Sequence, residues 1–238
     1  MRILKAFSVL LCYPSRELQA AIPAIRAIVD AETRLDDDHR QQLSRLLDRL
    51  ADTDIYELEE DYVMLFDRSR TLSLNLFEHV HGESRDRGSA MVDLLQTYQE
   101  AGFDLNTSEL PDHLPVLLEF LSTRPEAEAM EILRDAGAIL IALADRLDRR
   151  QSHYAAILHA LTDMASANRH DDEAQQLLAE TMDNPNDLEA LDAVWEETMV
   201  TFGPESMDSC SGLLAGGRAE YPVHIHRAPK SQPDNRGQ

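Results

Sequence analysis

The chain has 238 residues, of which 43% are hydrophobic and 28% are charged. This balance is typical of a globular protein and argues against a disordered or membrane-embedded chain. The 44 acidic and 22 basic residues give a formal net charge of −22. Such a charge repels a phosphate backbone, so we expect no nucleic-acid partner. It would attract a basic polypeptide, but a charge of this size also serves solubility alone, and solubility is the favoured interpretation.

The N-terminal region and the cysteines bear on the compartment. The chain has two cysteines, Cys12 and Cys210, and no Cys-x-x-Cys pair, which argues against a disulfide framework or a structural zinc site. The apolar run 6–13 is far shorter than the ~20 residues that cross a bilayer. Pro14 and a charged helical pattern follow it, with no prompt cleavage site. We therefore expect a cytoplasmic protein without stable membrane association.

Helical periodicity runs through most of the chain. Ser15 is predicted to cap a helix over residues 16–31. An apolar stripe at helical spacing extends from Ile132 to Leu147. No stretch alternates polar and apolar residues as a strand would, and Ala, Leu, Arg, Glu and Gln dominate. The sequence predicts an all-α fold, a single-domain helical bundle of about ten helices.

The C-terminal part of the chain has a different composition. Residues 203–238 hold five of the nine glycines and four of the ten prolines, with no sustained apolar periodicity. Acidic and basic residues are equal in number there, so the whole net charge lies on residues 1–202. We predict an all-helical domain over 1–202 and a flexible tail over 203–238.

Aromatic residues follow a helical spacing near position 60. Tyr62, Leu65 and Phe66 stand at i, i+3 and i+4 and therefore share one helical face. Aromatic residues at this spacing usually pack in a core, with the tyrosine hydroxyl at the rim. The alternative is that Tyr62 belongs to a binding surface.

A second motif is a helix start that Asp112 is predicted to cap, with Pro115 in the first turn. From that start, Asp112, Val116 and Glu119 share one face. Two carboxylates beside an apolar residue suit a peptide that carries a positive charge. The neighbouring His113 is either a structural hydrogen-bond donor or a contact residue, and the sequence leaves both open.

Residues 77–88 crowd histidines, carboxylates, guanidinium groups and glycines together. One interpretation is a metal-dependent hydrolase that uses His79, His81, Glu83 and His113. On a helix the first two histidines would point about 200° apart, and the pattern His-Glu-x-x-His is absent. The chain also lacks a Gly-x-Ser-x-Gly elbow and a glycine-rich phosphate loop. We therefore expect no enzyme.

The other interpretation of residues 77–88 is recognition. Glu83 and Arg87 can pair at i, i+4 on a helix. Gly82 and Gly88 can bracket a turn that carries the two histidines to the surface. A buried polar contact between helices is the alternative, and the two can coincide.

The run 76–88, followed by Ala-Met-Val-Asp-Leu-Leu at 90–95, resembles the nitrate reductase molybdenum-cofactor assembly chaperones. This NarJ or delta-subunit family is related to the redox-enzyme maturation (TorD-like) chaperones. Segments 62–67, 110–121 and 191–197 fit the same pattern, so the resemblance spans about residues 1–202.

The resemblance implies a chaperone that binds the N-terminus of the apo catalytic α subunit of respiratory nitrate reductase. It would keep this client competent for molybdenum cofactor insertion before membrane anchoring, and hold no cofactor or metal itself. Helix-in-groove recognition is the expected mode. The expected client-peptide contacts are Tyr62, His79, His81, Glu83, Arg87, Asp112, His113, Val116 and Glu119. A structural scaffold protein is a further alternative, and a homodimer is left open.

Overall fold

A computed structural model describes residues 1–81, 85–105 and 109–183, with side chains for all of these except 81 and 85. Within these ranges there are eleven α-helices and no strand. The predicted all-α fold of about ten helices is therefore confirmed. In the described part of the chain, no helix combines the length and the apolar character that a bilayer crossing requires.

The α-helices follow one another along the chain with short connections. They are α1 (Arg2–Leu10), α2 (Arg16–Ala31), α3 (Asp37–Asp52), α4 (Ile55–Tyr62), α5 (Leu76–His81), α6 (Arg85–Glu100), α7 (Leu114–Ser122), α8 (Glu126–Asp135), α9 (Gly137–Arg149), α10 (Ala155–Met164) and α11 (Asp172–Ala179). A π-helical turn (Val63–Asp67) and a 3-10 turn (Arg70–Leu72) lie between α4 and α5.

The chain divides into two units, Met1–Leu188 and Glu189–Gln238. The second unit lies outside the described residues, as does the predicted boundary between residues 202 and 203. The two-part organisation with a flexible tail therefore stays a prediction.

The centre of the first unit is the packing of α1 on α7. Phe7 of α1 and Phe120 of α7 are almost fully buried. The Ser8 hydroxyl donates to the Pro115 carbonyl over 2.8 Å, which ties the two helices together at a buried polar contact. α7 is apolar on nearly every side because its neighbours surround it, as expected for a helix in a core.

The predicted helix cap at Ser15 is confirmed. The Ser15 hydroxyl accepts a hydrogen bond from the Leu18 backbone N–H at 3.1 Å, and α2 has the predicted bounds. Such a cap satisfies one of the backbone donors that a helix start leaves without an intrahelical partner.

The continuous apolar stripe from Ile132 to Leu147 does not form one helix. α8 ends at Asp135, and α9 begins at Gly137 after a break at Ala136. Gly137 lies so close to α10's end that an added Cβ would stand 2.9 Å from the Ala167 Cβ. A hydrophobic pattern is insensitive to this close approach, because it reports only which residues are apolar.

We expect Ser166→Gly to raise the free energy of unfolding by about 0.5–1 kcal/mol. Ser166 follows α10 with a φ of 54°, a left-handed conformation in which a Cβ is unfavourable. Part of this gain is offset by the greater freedom of glycine in the unfolded chain. Urea denaturation measures the change.

The matched control for Ser166→Gly is Ser89→Gly, at an exposed position inside α6. In a right-handed helix, glycine costs about 0.5–1 kcal/mol. The two substitutions should therefore change stability in opposite directions. Loss of stability in both variants would contradict the argument.

Candidate functional site

The start of α7 differs from its prediction. The N-cap of this helix is His113, so the prediction that Asp112 caps it is wrong. Asp112 turns toward α5 instead: its Oδ2 accepts from the Phe77 backbone N–H at 3.0 Å, and its carbonyl accepts from the Leu76 N–H at 3.1 Å. The carboxylate therefore caps a helix that lies 35 residues earlier in the chain.

Asp112 is buried, with 1% of its surface exposed. Burial raises the pKa of its carboxyl above the ordinary value, although the Phe77 N–H and the Arg87 charge favour the ionised form. A client peptide has no access to this group in the present conformation. We therefore assign Asp112 a structural role, and its predicted contact with a client has no support from the geometry.

The start of α5, next to the 77–88 segment, lies beside the start of α7. The Leu114 N–H donates to the Leu74 carbonyl at 2.8 Å, and Asn75 and His113 form an isolated antiparallel bridge. The start of α5 and the start of α7 are thus joined through their backbones. Their side chains, however, point to different places.

His79 faces the interior rather than the surface predicted for it. Its Nε2 lies 2.8 Å from the Ser73 carbonyl, so this nitrogen carries the proton and donates. Its Nδ1 lies 3.4 Å from Arg146 Nη1. Burial is the largest cause that lowers the pKa of His79, and the Arg146 charge adds to it. His79 is thus a neutral contact between helices, the second of the two interpretations.

Arg87 pairs with Glu78, whose Oε1 accepts from Arg87 Nη2 at 2.9 Å. The predicted partner Glu83 lies outside the described residues, as do Gly82 and the His81 side chain. Gly88 lies inside α6, so its predicted place at the end of a turn is wrong.

The other four predicted residues meet at one cleft of about 560 Å³. We call it the acidic cleft. It is lined by Ser8, Cys12, Tyr13, Tyr62, Asp67, Glu109, His113, Pro115, Val116 and Glu119. Helical spacing correctly placed Val116 and Glu119 on one face. Tyr62 joins them from the neighbouring α4.

The walls of the acidic cleft are aromatic and apolar. The Tyr62 hydroxyl donates to the Leu11 carbonyl at 2.9 Å, so this ring is fixed in the core. Tyr13 packs edge-on against Tyr62 with 5.4 Å between ring centroids, while 49% of its surface stays exposed. An exposed ring supported by a fixed one is a favourable anchor for a partner.

Three carboxylates, those of Asp67, Glu109 and Glu119, give the cleft its charge. Burial and the Glu109 charge raise the pKa of Asp67. A bound cation would oppose both effects and stabilise the ionised carboxylate. Glu119 forms an ion pair with Lys5 of α1. Burial lowers the pKa of His113, which leaves its imidazole neutral near pH 7 and without charge to oppose a basic ligand.

The residues that sequence reasoning missed are Tyr13, Asp67 and Glu109. Tyr13 precedes Pro14 at the end of α1, where a break is evident but an exposed ring is not. Asp67 ends a π-helical turn, which shifts it off the face that α-helical spacing assigns. These three side chains meet only because elements that are far apart in the sequence lie close together in the fold.

Of the predicted metal ligands, only His79 and His113 have described side chains, and neither belongs to a described group of three potential ligands. Among the described residues, the one group of three with ligand atoms within 4.8 Å is Asp36, His39 and Asp163. Its histidine Nδ1 already lies 2.8 Å from Asp36 Oδ1, and Asp36 caps α3. His79 faces a guanidinium group, which would repel a metal cation. The geometry therefore gives the metal-dependent hydrolase no support.

Fold and cleft together describe an all-helical protein whose candidate site is built for contact with a partner rather than for chemistry. The sequence comparisons agree. Residues 32–160 match the family model of the nitrate reductase delta subunit, and the chain belongs to this family.

Curated relatives cover most of the chain. It is 43% identical over 211 residues to the nitrate reductase molybdenum cofactor assembly chaperone NarJ of Escherichia coli K12, covering 88% of each chain. It is 40% identical to the probable assembly chaperone NarW of the same organism, covering 88% of this chain and 87% of the relative. It is 32% identical to the probable nitrate reductase molybdenum cofactor assembly chaperone NarJ of Bacillus subtilis, covering 66% of this chain and 84% of the relative. The predicted resemblance is confirmed, and with it an assembly chaperone rather than an enzyme.

Proposed function

We propose that the chain binds the catalytic α subunit of nitrate reductase in its apo form. It would hold the N-terminus of this client in the cytoplasm until molybdenum cofactor has been inserted, and release it before membrane anchoring. The names of the relatives support a role in cofactor assembly. The acidic cleft is the observation that carries the proposed mode of binding.

The cleft suits an amphipathic helix with a basic face. Tyr13 and Val116 offer an apolar surface, while Asp67, Glu109 and Glu119 stand around it. An apolar anchor would supply affinity, and the carboxylates would set the orientation of the bound helix. The chain's net charge of −22 would also speed the encounter with a basic segment.

The proposal predicts a specific loss of binding when two of the three cleft carboxylates, Asp67 and Glu109, are made neutral. Calorimetry with a synthetic peptide of the first ~30 residues of the α subunit measures the affinity, that length being our estimate of what fills a helical groove. The double variant Asp67→Asn/Glu109→Gln should bind about tenfold more weakly, or ~1.4 kcal/mol. It should fold normally, because burial already disfavours the charge on Asp67.

The matched control is Glu131→Gln/Asp135→Asn on α8, which makes the same change of charge at two exposed positions. It should retain nearly the affinity of the wild type, since general attraction alone is screened within ~10 Å at 0.1 M salt. Equal losses of affinity in both double variants would show that net charge, rather than the cleft, determines peptide binding. Absence of heat at about 100 μM peptide would defeat the cleft as client site.

A second measurement separates a chaperone from a scaffold. A chaperone should be present with the apo α subunit and absent from the cofactor-loaded complex. Equimolar retention in the mature complex would favour the scaffold alternative. Size-exclusion chromatography of the free chain tests the homodimer, which stays a prediction.

A further inference from the structure

One carboxylate of the acidic cleft already has a cationic partner within the chain. Glu119 of α7 lines the cleft and forms an ion pair with Lys5 of α1. The Lys5 and Glu119 side chains are 47% and 46% exposed, so the pair lies at the surface of the molecule and not in its core. A basic client that enters the cleft therefore meets a carboxylate whose charge is already neutralised.

Lys5 lies on the face of α1 that borders the cleft. Ser8 and Cys12 follow Lys5 at i+3 and i+7, and both of them line the cleft. The charges around Cys12 agree with this placement. Burial raises the pKa of the Cys12 thiol, the Lys5 charge opposes this rise, and the Glu119 charge adds to it. The charge of Lys5 therefore acts on groups inside the cleft.

The Lys5–Glu119 pair is easily opened. An exposed ion pair contributes little to stability, because water solvates both charges well. A lysine ammonium group is also a flexible, strongly hydrated point charge, whereas an arginine guanidinium group donates two parallel hydrogen bonds to one carboxylate. An incoming arginine can thus replace Lys5 on Glu119 with better geometry.

We propose that Lys5 competes with the client for Glu119. An arginine of the client displaces the Lys5 ammonium group on binding, and Lys5 returns to Glu119 when the client leaves. The pair thereby weakens client binding and favours release, which a chaperone needs once its client is complete. This inference rests on the proposed function of the acidic cleft and names the client group that Glu119 meets.

Calorimetry of the full chain with the α-subunit peptide tests the competition through Lys5→Met. This variant keeps the hydrocarbon part of the side chain and removes its charge. The peptide should bind about threefold more tightly, which is the size of effect that an exposed ion pair gives. The thermal midpoint should stay nearly unchanged for the same reason.

The matched control is Arg45→Met, which removes one positive charge from an exposed position on α3. No residue of α3 lines the acidic cleft. The affinity of this variant should therefore stay close to that of the wild type, because charges beyond ~10 Å are screened at 0.1 M salt. In a Glu119→Gln background, Lys5→Met should no longer tighten binding, since the carboxylate for which Lys5 competes is gone.

Nuclear magnetic resonance follows the displacement directly. The chain has only two lysines, Lys5 and Lys230, and reductive ¹³C-methylation labels both while keeping their charge. Lys230→Arg identifies the Lys5 signal. Addition of the peptide should move this signal toward its position in Glu119→Gln, where the ammonium group has lost its carboxylate. With each arginine of the peptide replaced in turn by methionine, one replacement should abolish the movement.

The outcomes separate this inference from the client site itself. Absence of peptide binding to every form of the chain would defeat both. Binding with equal affinity in the wild type and in Lys5→Met would overturn the role of Lys5 and leave the client site intact. An equal gain of affinity in Arg45→Met, or a gain that persists beside Glu119→Gln, would also overturn it, because net charge would then account for the effect.

Discussion

Arg146→Met is expected to lower the free energy of unfolding by about 3–5 kcal/mol, the largest effect of any single substitution considered. Arg146 lies on α9 with 2% of its surface exposed. Its guanidinium group donates to the Thr71 carbonyl at 2.9 Å, to the Leu177 carbonyl at 2.9 Å and to Glu180 Oε2 at 2.7 Å. Methionine fills the space but leaves these acceptors without their donors.

Urea denaturation of Arg146→Met measures the loss, and Arg149→Met is its control. Arg149 lies three residues later on the same helix, with 53% of its side chain exposed and an ion pair to Asp145 at 2.8 Å. An exposed pair contributes at most about 1 kcal/mol. A loss below about 1 kcal/mol in Arg146→Met would show that the buried bonds contribute little net stability.

No local pattern in the sequence indicates this role for Arg146. It stands inside the apolar stripe that ends at Leu147, where a charged residue looks like part of the solvated face. Its acceptors come from the 3-10 turn and from α11, elements far away in the chain. Helical periodicity is a local property and predicts the helices and much of their buried faces. The partners of a buried charge depend on how those helices pack.

The residues of the candidate site were likewise placed together by the sequence only where they lie close together on one helix. Val116 and Glu119 were placed together from spacing within one helix, and the cleft contains both. Tyr13 and Glu109 could not be placed, because no local pattern relates the end of α1 to the start of α7. The residue types of 77–88 suggested a surface, yet His79 bonds to Ser73 and faces Arg146. Residue type indicates what a side chain can bind, and packing decides which partner it meets.

This outcome changes the meaning of the 77–88 segment. Through His79 it meets the Arg146 network, and through the Phe77 N–H it meets Asp112 at the start of α7. The segment therefore holds the helix that supplies Val116 and Glu119 to the acidic cleft. None of its described side chains lines the acidic cleft.

Asp112→Ala is expected to lower the free energy of unfolding by about 2–3 kcal/mol, because α5 loses a buried capping acceptor. Asp112→Asn keeps an oxygen that can accept from the Phe77 N–H and removes the ionisable group. It should therefore retain most of the wild-type stability at pH 7. Thermal and urea denaturation of the two variants measure this difference.

The comparison of Asp112→Asn with the wild type also predicts how stability depends on pH. Burial raises the pKa of Asp112 in the folded chain above the ordinary value of 3.8. Well below 3.8 the carboxyl is protonated in both the folded and the unfolded chain, so its contribution to stability is constant. As the pH rises, the unfolded chain ionises first, and the wild type loses stability until the folded carboxyl has also ionised. The stability of Asp112→Asn relative to the wild type should thus increase across this window and then level off. Parallel curves for the two proteins from about pH 4 to pH 7 would contradict the role assigned to this carboxyl.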